Sequence, residues 1–174
     1  MLLESFKTRD AIYKDYTSGK NILIRGERYS GKTDYILSLA STIAEREYDT
    51  NIAIVAGGIN LEPYIEYFKD NNNININDNT IEYPNKSIIF LTRDINDLRE
   101  LMFKYIMLDD ASQYLDICGL MVSYVCMISN ETPSLLMAYN FFHENTTIQR
   151  LENLSTNPRQ HGKRKGDYIL YDII

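Results

Sequence analysis

Apolar residues along this chain follow two rhythms, and their alternation predicts the order of its elements. Short, mostly apolar runs at residues 21–25, 51–56, 105–108 and 122–129 read as buried strands, the third of them continuously apolar. Between them, apolar positions recur at helical spacing. Leu2, Leu3, Phe6, Ile12, Tyr13 and Tyr16 predict a helix over residues 2–16, with Gly19 just past its end. Residues 32–47 and 61–69 read as further helices, the second with Pro63 tolerated in its first turn. Residues 80–83 and 87–91 predict a hairpin around Pro84, Asn85 and Lys86. Short helices are expected over residues 95–103 and 134–144, and a closing strand over residues 168–174. The asparagine-rich stretch 71–77 reads as a surface loop. Strands alternating with helices imply βαβ crossovers and a mainly parallel sheet covered on both faces.

A chain of 174 residues fits one domain with a proper core. Residues 1–174 are read as a single domain: an N-terminal helix over 1–20, a core over 21–142, and a C-terminal loop and strand over 143–174. The net charge is −6, so the chain lacks the general positive field that holds a protein on a phosphate backbone. A local exception is the basic run at residues 159–165, with Arg159, Lys163, Arg164 and Lys165. The longest apolar candidate, residues 117–128, is broken by Gly119, Ser123 and Tyr124, short of the ~18 residues of a membrane helix. The start of the chain lacks the basic and apolar regions of a signal peptide, so an intracellular, non-secreted protein away from membranes is expected. Cys118 and Cys126 have no second pair and read as free buried thiols.

Candidate chemistry enters at Gly26, Glu27, Arg28, Tyr29, Ser30, Gly31, Lys32 and Thr33, a complete G-x-x-x-x-G-K-[ST] loop. It follows a predicted strand and opens a predicted helix, the context a phosphate-binding loop needs. Residue frequencies produce this pattern by chance about once in several hundred chains of this length. Glycines let successive backbone N–H groups turn toward phosphate oxygens, and the helix start adds its positive end. These eight residues are the candidate nucleotide site, with ATP and Mg²⁺ as the expected ligands. Lys32 would reach the β/γ-phosphates and Thr33 would ligate Mg²⁺. The run at residues 105–108 ends in Asp109 and Asp110, the pattern of a strand that carries an acid to the rim of a sheet. Asp109 is the candidate Mg²⁺ group and Asp110 the candidate general base. Ligands of such sheets bind beyond the carboxyl ends of the strands, where the loop at Gly26, Asp109 and the turn at Ser129 are all expected. The predicted class is therefore α/β, a P-loop NTPase-type three-layer fold with a mainly parallel central sheet flanked by helices.

In these motifs the chain resembles the ATPase domain of the large terminase subunit, the motor that packs DNA into tailed-phage and herpesvirus capsids. That family's loop often reads Gly-Gly-Arg-Gly-Ser-Gly-Lys-Ser, which places Arg28 on its arginine and implies a catalytic role at the γ-phosphate. Its hairpin is similar to residues 81–90, its Asp-Glu-Ala segment to Asp109, Asp110 and Ala111, and its Ser-Thr-Pro-like coupling motif to residues 128–133. The similarity spans most of residues 20–142. Asp110 stands where the family has Glu, about 1.5 Å shorter in reach, and mispositioning on that scale costs about a hundredfold in rate. The stretch before the coupling motif is short, and no nuclease domain follows, so DNA cleavage is not expected of these residues.

The resemblance implies an ATP hydrolase of viral genome packaging, catalytic through Asp110, Arg28 and Lys32. Its implied partners are DNA and other subunits of a motor or capsid assembly, with a homo-oligomeric ring, in the host cytoplasm or in the virion. Two alternatives stay open. One is a small P-loop nucleoside or nucleotide kinase, for which residues 159–165 are the only candidate lid. The other is a nucleotide-binding regulatory or assembly module without turnover, which Asp110 favours. Tyr13 and Tyr16 read as core packing or as a base-stacking platform. Arg25 reads as a surface residue. His143 and His161 lack recognisable partners and read as surface or helix-end residues.

Overall fold

The computed structural model describes residues 2–57, 60–98, 101–111, 133–155 and 168–173. Helix α1 (Leu2–Thr17) leads to strand β1 (Asn21–Gly26), and helix α2 (Lys32–Arg46) follows the glycine loop. Next come β2 (Asn51–Val55), α3 (Glu62–Phe68), β3 (Asn75–Asn77), β4 (Thr80–Glu82) and β5 (Ile88–Thr92). A 3₁₀ turn (Ile95–Leu98), β6 (Tyr105–Leu108), β7 (Ser134–Asn140), α4 (Thr146–Leu154) and β8 (Tyr168–Ile173) complete the described elements. The strands form one sheet in the order β3-β4-β5-β2-β6-β7-β1-β8. From β5 to β8 every neighbouring pair is parallel, while β3–β4 and β4–β5 are antiparallel. The chain is therefore α/β, with a mainly parallel sheet between two helical layers.

Alternation along the strands sorts the core into those layers. Ile22, Ile24, Ile52, Ile54, Met107, Leu136 and Ala138 face one side, where they pack with residues of α1, α2 and α3. Leu23, Ala53, Val55, Ile106, Leu108, Leu135, Met137 and Tyr139 face the other, with Ile148 and Leu151 of α4. The hairpin between β4 and β5 is tied to α2: Asn85 donates to Ala44 O (2.8 Å) and Glu47 O (3.0 Å), satisfying carbonyls at the helix end. Among the described residues no helix is long and apolar enough to cross a membrane.

The structure corrects the pattern in four places. Residues 134–140 form strand β7, where the pattern predicts a helix over 134–144. Leu135, Leu136 and Met137 favour helix locally, but Ser134 to Tyr139 are all buried. A helix on a sheet buries one stripe, whereas a central strand buries both faces, at about 1.5–3 kcal/mol per large side chain. Tertiary burial overrides propensity here. Asn75–Asn77 is an edge strand paired with β4, within the stretch that reads as loop. Of the helix expected over 95–103, residues 95–98 form a 3₁₀ turn and residues 101–103 belong to no helix. Residues 143–174 hold helix α4 as well as loop and strand. Asn145 begins that helix, its side-chain oxygen accepting from Ile148 N (3.2 Å). The expected strand at 122–129, the residues 128–132 of the coupling motif, the basic run at 159–165, Cys118, Cys126 and His161 lie outside the described residues.

Tyr16 joins α1 to the amino edge of the sheet, opposite the expected ligand edge. Its hydroxyl donates to Ile106 O (3.1 Å) and Ser134 O (2.9 Å), and its fully buried ring packs 5.1 Å from that of Tyr105. It is core, with no face open to a base. Tyr16→Phe should therefore lower unfolding stability by about 1–2 kcal/mol in urea titration with an unchanged m-value. Unaltered stability would show that these bonds contribute nothing net.

Candidate functional site

Parallel pairing aligns the carboxyl ends of the central strands. Register sets Gly26 of β1 opposite Asn140 of β7, and Leu108 of β6 opposite Val55 of β2. The glycine loop leaves β1 at this edge and turns into α2 at Gly31, whose φ of 86° is left-handed and suits glycine. Among the described residues no side chain caps α2, which leaves its first N–H groups facing the loop. Lys32 is 7% exposed, and its ammonium lies 2.5 Å from Glu27 O, 3.2 Å from Ser30 Oγ and 3.4 Å from Gly26 O. Burial lowers the Lys32 pKa, opposed by the charges of Asp110 and Asp109. Arg28 and Tyr29 are exposed at the loop's tip, the guanidinium 5.0 Å from the ring centre. Tyr29 holds φ 62°, a left-handed conformation uncommon for an aromatic residue.

Asp109 follows β6 and is 3% exposed. Thr33 donates its hydroxyl to Asp109 Oδ2 at 2.7 Å, across 76 residues of sequence. Tyr64 of α3 donates to the same oxygen at 2.6 Å, and the Asp110 backbone N–H donates to Oδ1 at 3.0 Å. Burial raises the Asp109 carboxyl above its ordinary range, while the bonds from Tyr64 and Thr33 pull it back in part. Asp110 follows in a left-handed turn (φ 50°).

A cleft of about 560 Å³ opens at this edge. Arg28, Lys32, Thr33, Asp109, Asp110 and Asn140 are among the residues that line it. Tyr29, Ser30 and Gly31 line it too, whereas Gly26 and Glu27 do not line it and instead accept from the Lys32 ammonium through their carbonyls. The fold thus brings together the two motifs read from the sequence. The donor set facing the cleft from Thr33, Asp109 and Asp110 is all oxygen, the ligand type of a hard cation such as Mg²⁺.

Asn140, which lines the cleft, and Tyr64, which bonds to a lining residue, carry no sequence signal that points to them. Asn140 falls inside the helix expected over 134–144, and recognising the strand that ends at it would have placed it at the ligand edge. Tyr64 touches Asp109 across 45 residues, and no local signal announces that contact. Arg25, read as surface, is three-quarters buried at its side chain and joins β1 to β8 and α4. It meets Asp172 at 2.7 and 3.1 Å and Glu152 at 3.1 Å. His143 extends this group with a 2.7 Å contact to Glu152 and an edge-on packing against Tyr139.

No family model matches the sequence, and no curated protein matches it. Among solved structures, the chain is similar to the large terminase from a thermophilic bacteriophage. The form in complex with ADP superposes with a TM-score of 0.63 at 11% identity, over 97% of this chain and 44% of that one. A second crystal form gives 0.64 at 11% identity, over 95% and 45%. The complex with ATP-γ-S gives 0.61 at 10% identity, over 96% and 44%. This chain spans less than half the length of those terminase chains. At such identity the likeness establishes a shared α/β fold.

Close packing at the acid pair yields a test of the site's geometry. A Cβ added at Gly57 would stand 2.1 Å from Asp110 Cβ and 2.6 Å from Asp109 O, and neither backbone can yield easily. Gly57→Ala should cost about 1–3 kcal/mol in chemical denaturation, the range of overpacked substitutions. Wild-type stability in the variant would mean that β2 and β6 do not end this close together.

Proposed function

We propose that the chain binds ATP·Mg²⁺ in the carboxyl-edge cleft and hydrolyses it as a terminase-like motor subunit that moves a nucleic acid, with DNA the expected one. The observation that carries this reading is the 2.7 Å bond from Thr33 to Asp109, which unites the glycine loop and the acid-bearing strand in one oxygen-lined cleft. The matched terminase structures hold ADP and ATP-γ-S, which supports a nucleotide as the ligand.

In this reading the first N–H groups of α2 and the ammonium of Lys32 hold the β/γ-phosphates. Thr33 and Asp109 would hold Mg²⁺, an ion that is bound through few protein ligands. The bound ion would neutralise charge developing on the phosphate oxygens. Asp110 takes a proton from the attacking water. Arg28 turns from Tyr29 toward the γ-phosphate, where its charge favours the transition state. Asn140, at the end of the strand between the two motifs, offers an amide to the same phosphate or water. A volume of about 560 Å³ falls within the ~300–1,000 Å³ of small-ligand sites.

Phosphate release from purified protein with ATP·Mg²⁺, with and without DNA and beside nucleoside acceptors, tests the assignment. DNA-stimulated release is expected. Phosphorylated acceptor would instead make the chain a kinase, and binding without release a silent module. The two acids should separate in the same assay. Asp109→Asn should weaken Mg²⁺-dependent binding, whereas Asp110→Asn should spare binding and lower turnover by about 10²–10⁴, the usual worth of a general base. Equal losses of affinity in both variants would contradict this division of roles.

A further inference from the structure

Tyr64 belongs to neither motif, yet it makes a 2.6 Å contact with Asp109, an acid that lines the cleft. It is 7% exposed and sits in the core layer with Phe68, with Leu61 and Ile65 packed against that layer. The hydroxyl is thus carried on a rigid, buried support. It shares Asp109 Oδ2 with the Thr33 hydroxyl, while Oδ1 accepts the Asp110 N–H. Donors from α2, α3 and the turn after β6 converge on one carboxylate.

A carboxylate at the end of a strand can rotate about its terminal bond, whose preferences are broad. Two hydroxyl donors on one oxygen remove that freedom. We propose that Tyr64 is a positioning residue for the metal-holding carboxylate, fixing Asp109 in the orientation that meets Thr33. The inference rests on the nucleotide reading given above and assigns it a residue from outside both motifs. It also makes the placement of α3 a determinant of metal affinity. The bland account is that a buried phenol needs a partner and found one. That account predicts a cost in stability with no change in the metal requirement, so the two are separable.

Binding of a fluorescent ATP analogue, titrated with Mg²⁺, separates them in wild type and in Tyr64→Phe, which keeps the ring. Outer partners of metal ligands are worth about 10–100-fold in metal affinity. Tyr64→Phe should raise the half-saturating Mg²⁺ concentration by about tenfold while leaving analogue affinity in EDTA unchanged. In an Asp109→Asn background the same substitution should move the Mg²⁺ curve no further, because its target is already gone. A Tyr64→Phe curve that superimposes on a Mg²⁺-dependent wild-type curve overturns the inference alone, whatever the melting temperature does. Full additivity with Asp109→Asn overturns it too. A wild-type chain that binds no analogue at any Mg²⁺ concentration overturns the nucleotide reading, and the inference with it.

Discussion

The hydrogen bond from Thr33 to Asp109 joins elements that the sheet keeps apart. β1 and β6 are separated by β7, about 10 Å for two strand spacings. The bond forms because the glycine loop turns back across that edge and delivers Thr33 at the start of α2. Parallel pairing on both sides of β7 is the precondition, since only then do the loop, Asn140 and Asp109 share one end of the sheet. Antiparallel placement of any one of these strands would send its functional residue to the opposite edge.

A nearly dry carboxylate at that position has an energetic cost. Burial disfavours the charged form of Asp109, and the donors around it offset the loss. Those donors come from three segments, so each is constrained by the acid it serves. The adjoining backbone is constrained as well: Asp110 holds a left-handed φ of 50°, and Gly57 leaves no room for a side chain beside it. Tyr29 adds a further unusual conformation in the loop.

Much of this is legible in the sequence because the informative signals are local. The loop is contiguous, the strands at 21–26, 51–55 and 105–108 are short apolar runs, and α1 and α2 show helical spacing. The misread pieces depend on distant neighbours. Residues 134–140 favour helix by composition, and become a strand because β1 and β6 flank them on both sides in the sheet. Asn75–Asn77 is polar and pairs only because β4 presents an edge. The helix at Thr146–Leu154 has a readable signal, Asn145 followed by Ile148 and Leu151 at helical spacing. Of the site, the two motifs are visible in the sequence, whereas the contact from Tyr64 emerges only when α3 is packed against the sheet.

Calorimetric titration of ATP·Mg²⁺ into the wild-type chain and into Lys32→Ala tests the central claim most directly. Lys32 is the buried cation of the loop, and its described hydrogen bonds all go to the loop itself. The account predicts saturable one-to-one binding to wild type and its loss in Lys32→Ala, with the variant still folded by circular dichroism. Equal binding by the two proteins, or none by the wild type, would contradict the assignment of this loop as a phosphate site.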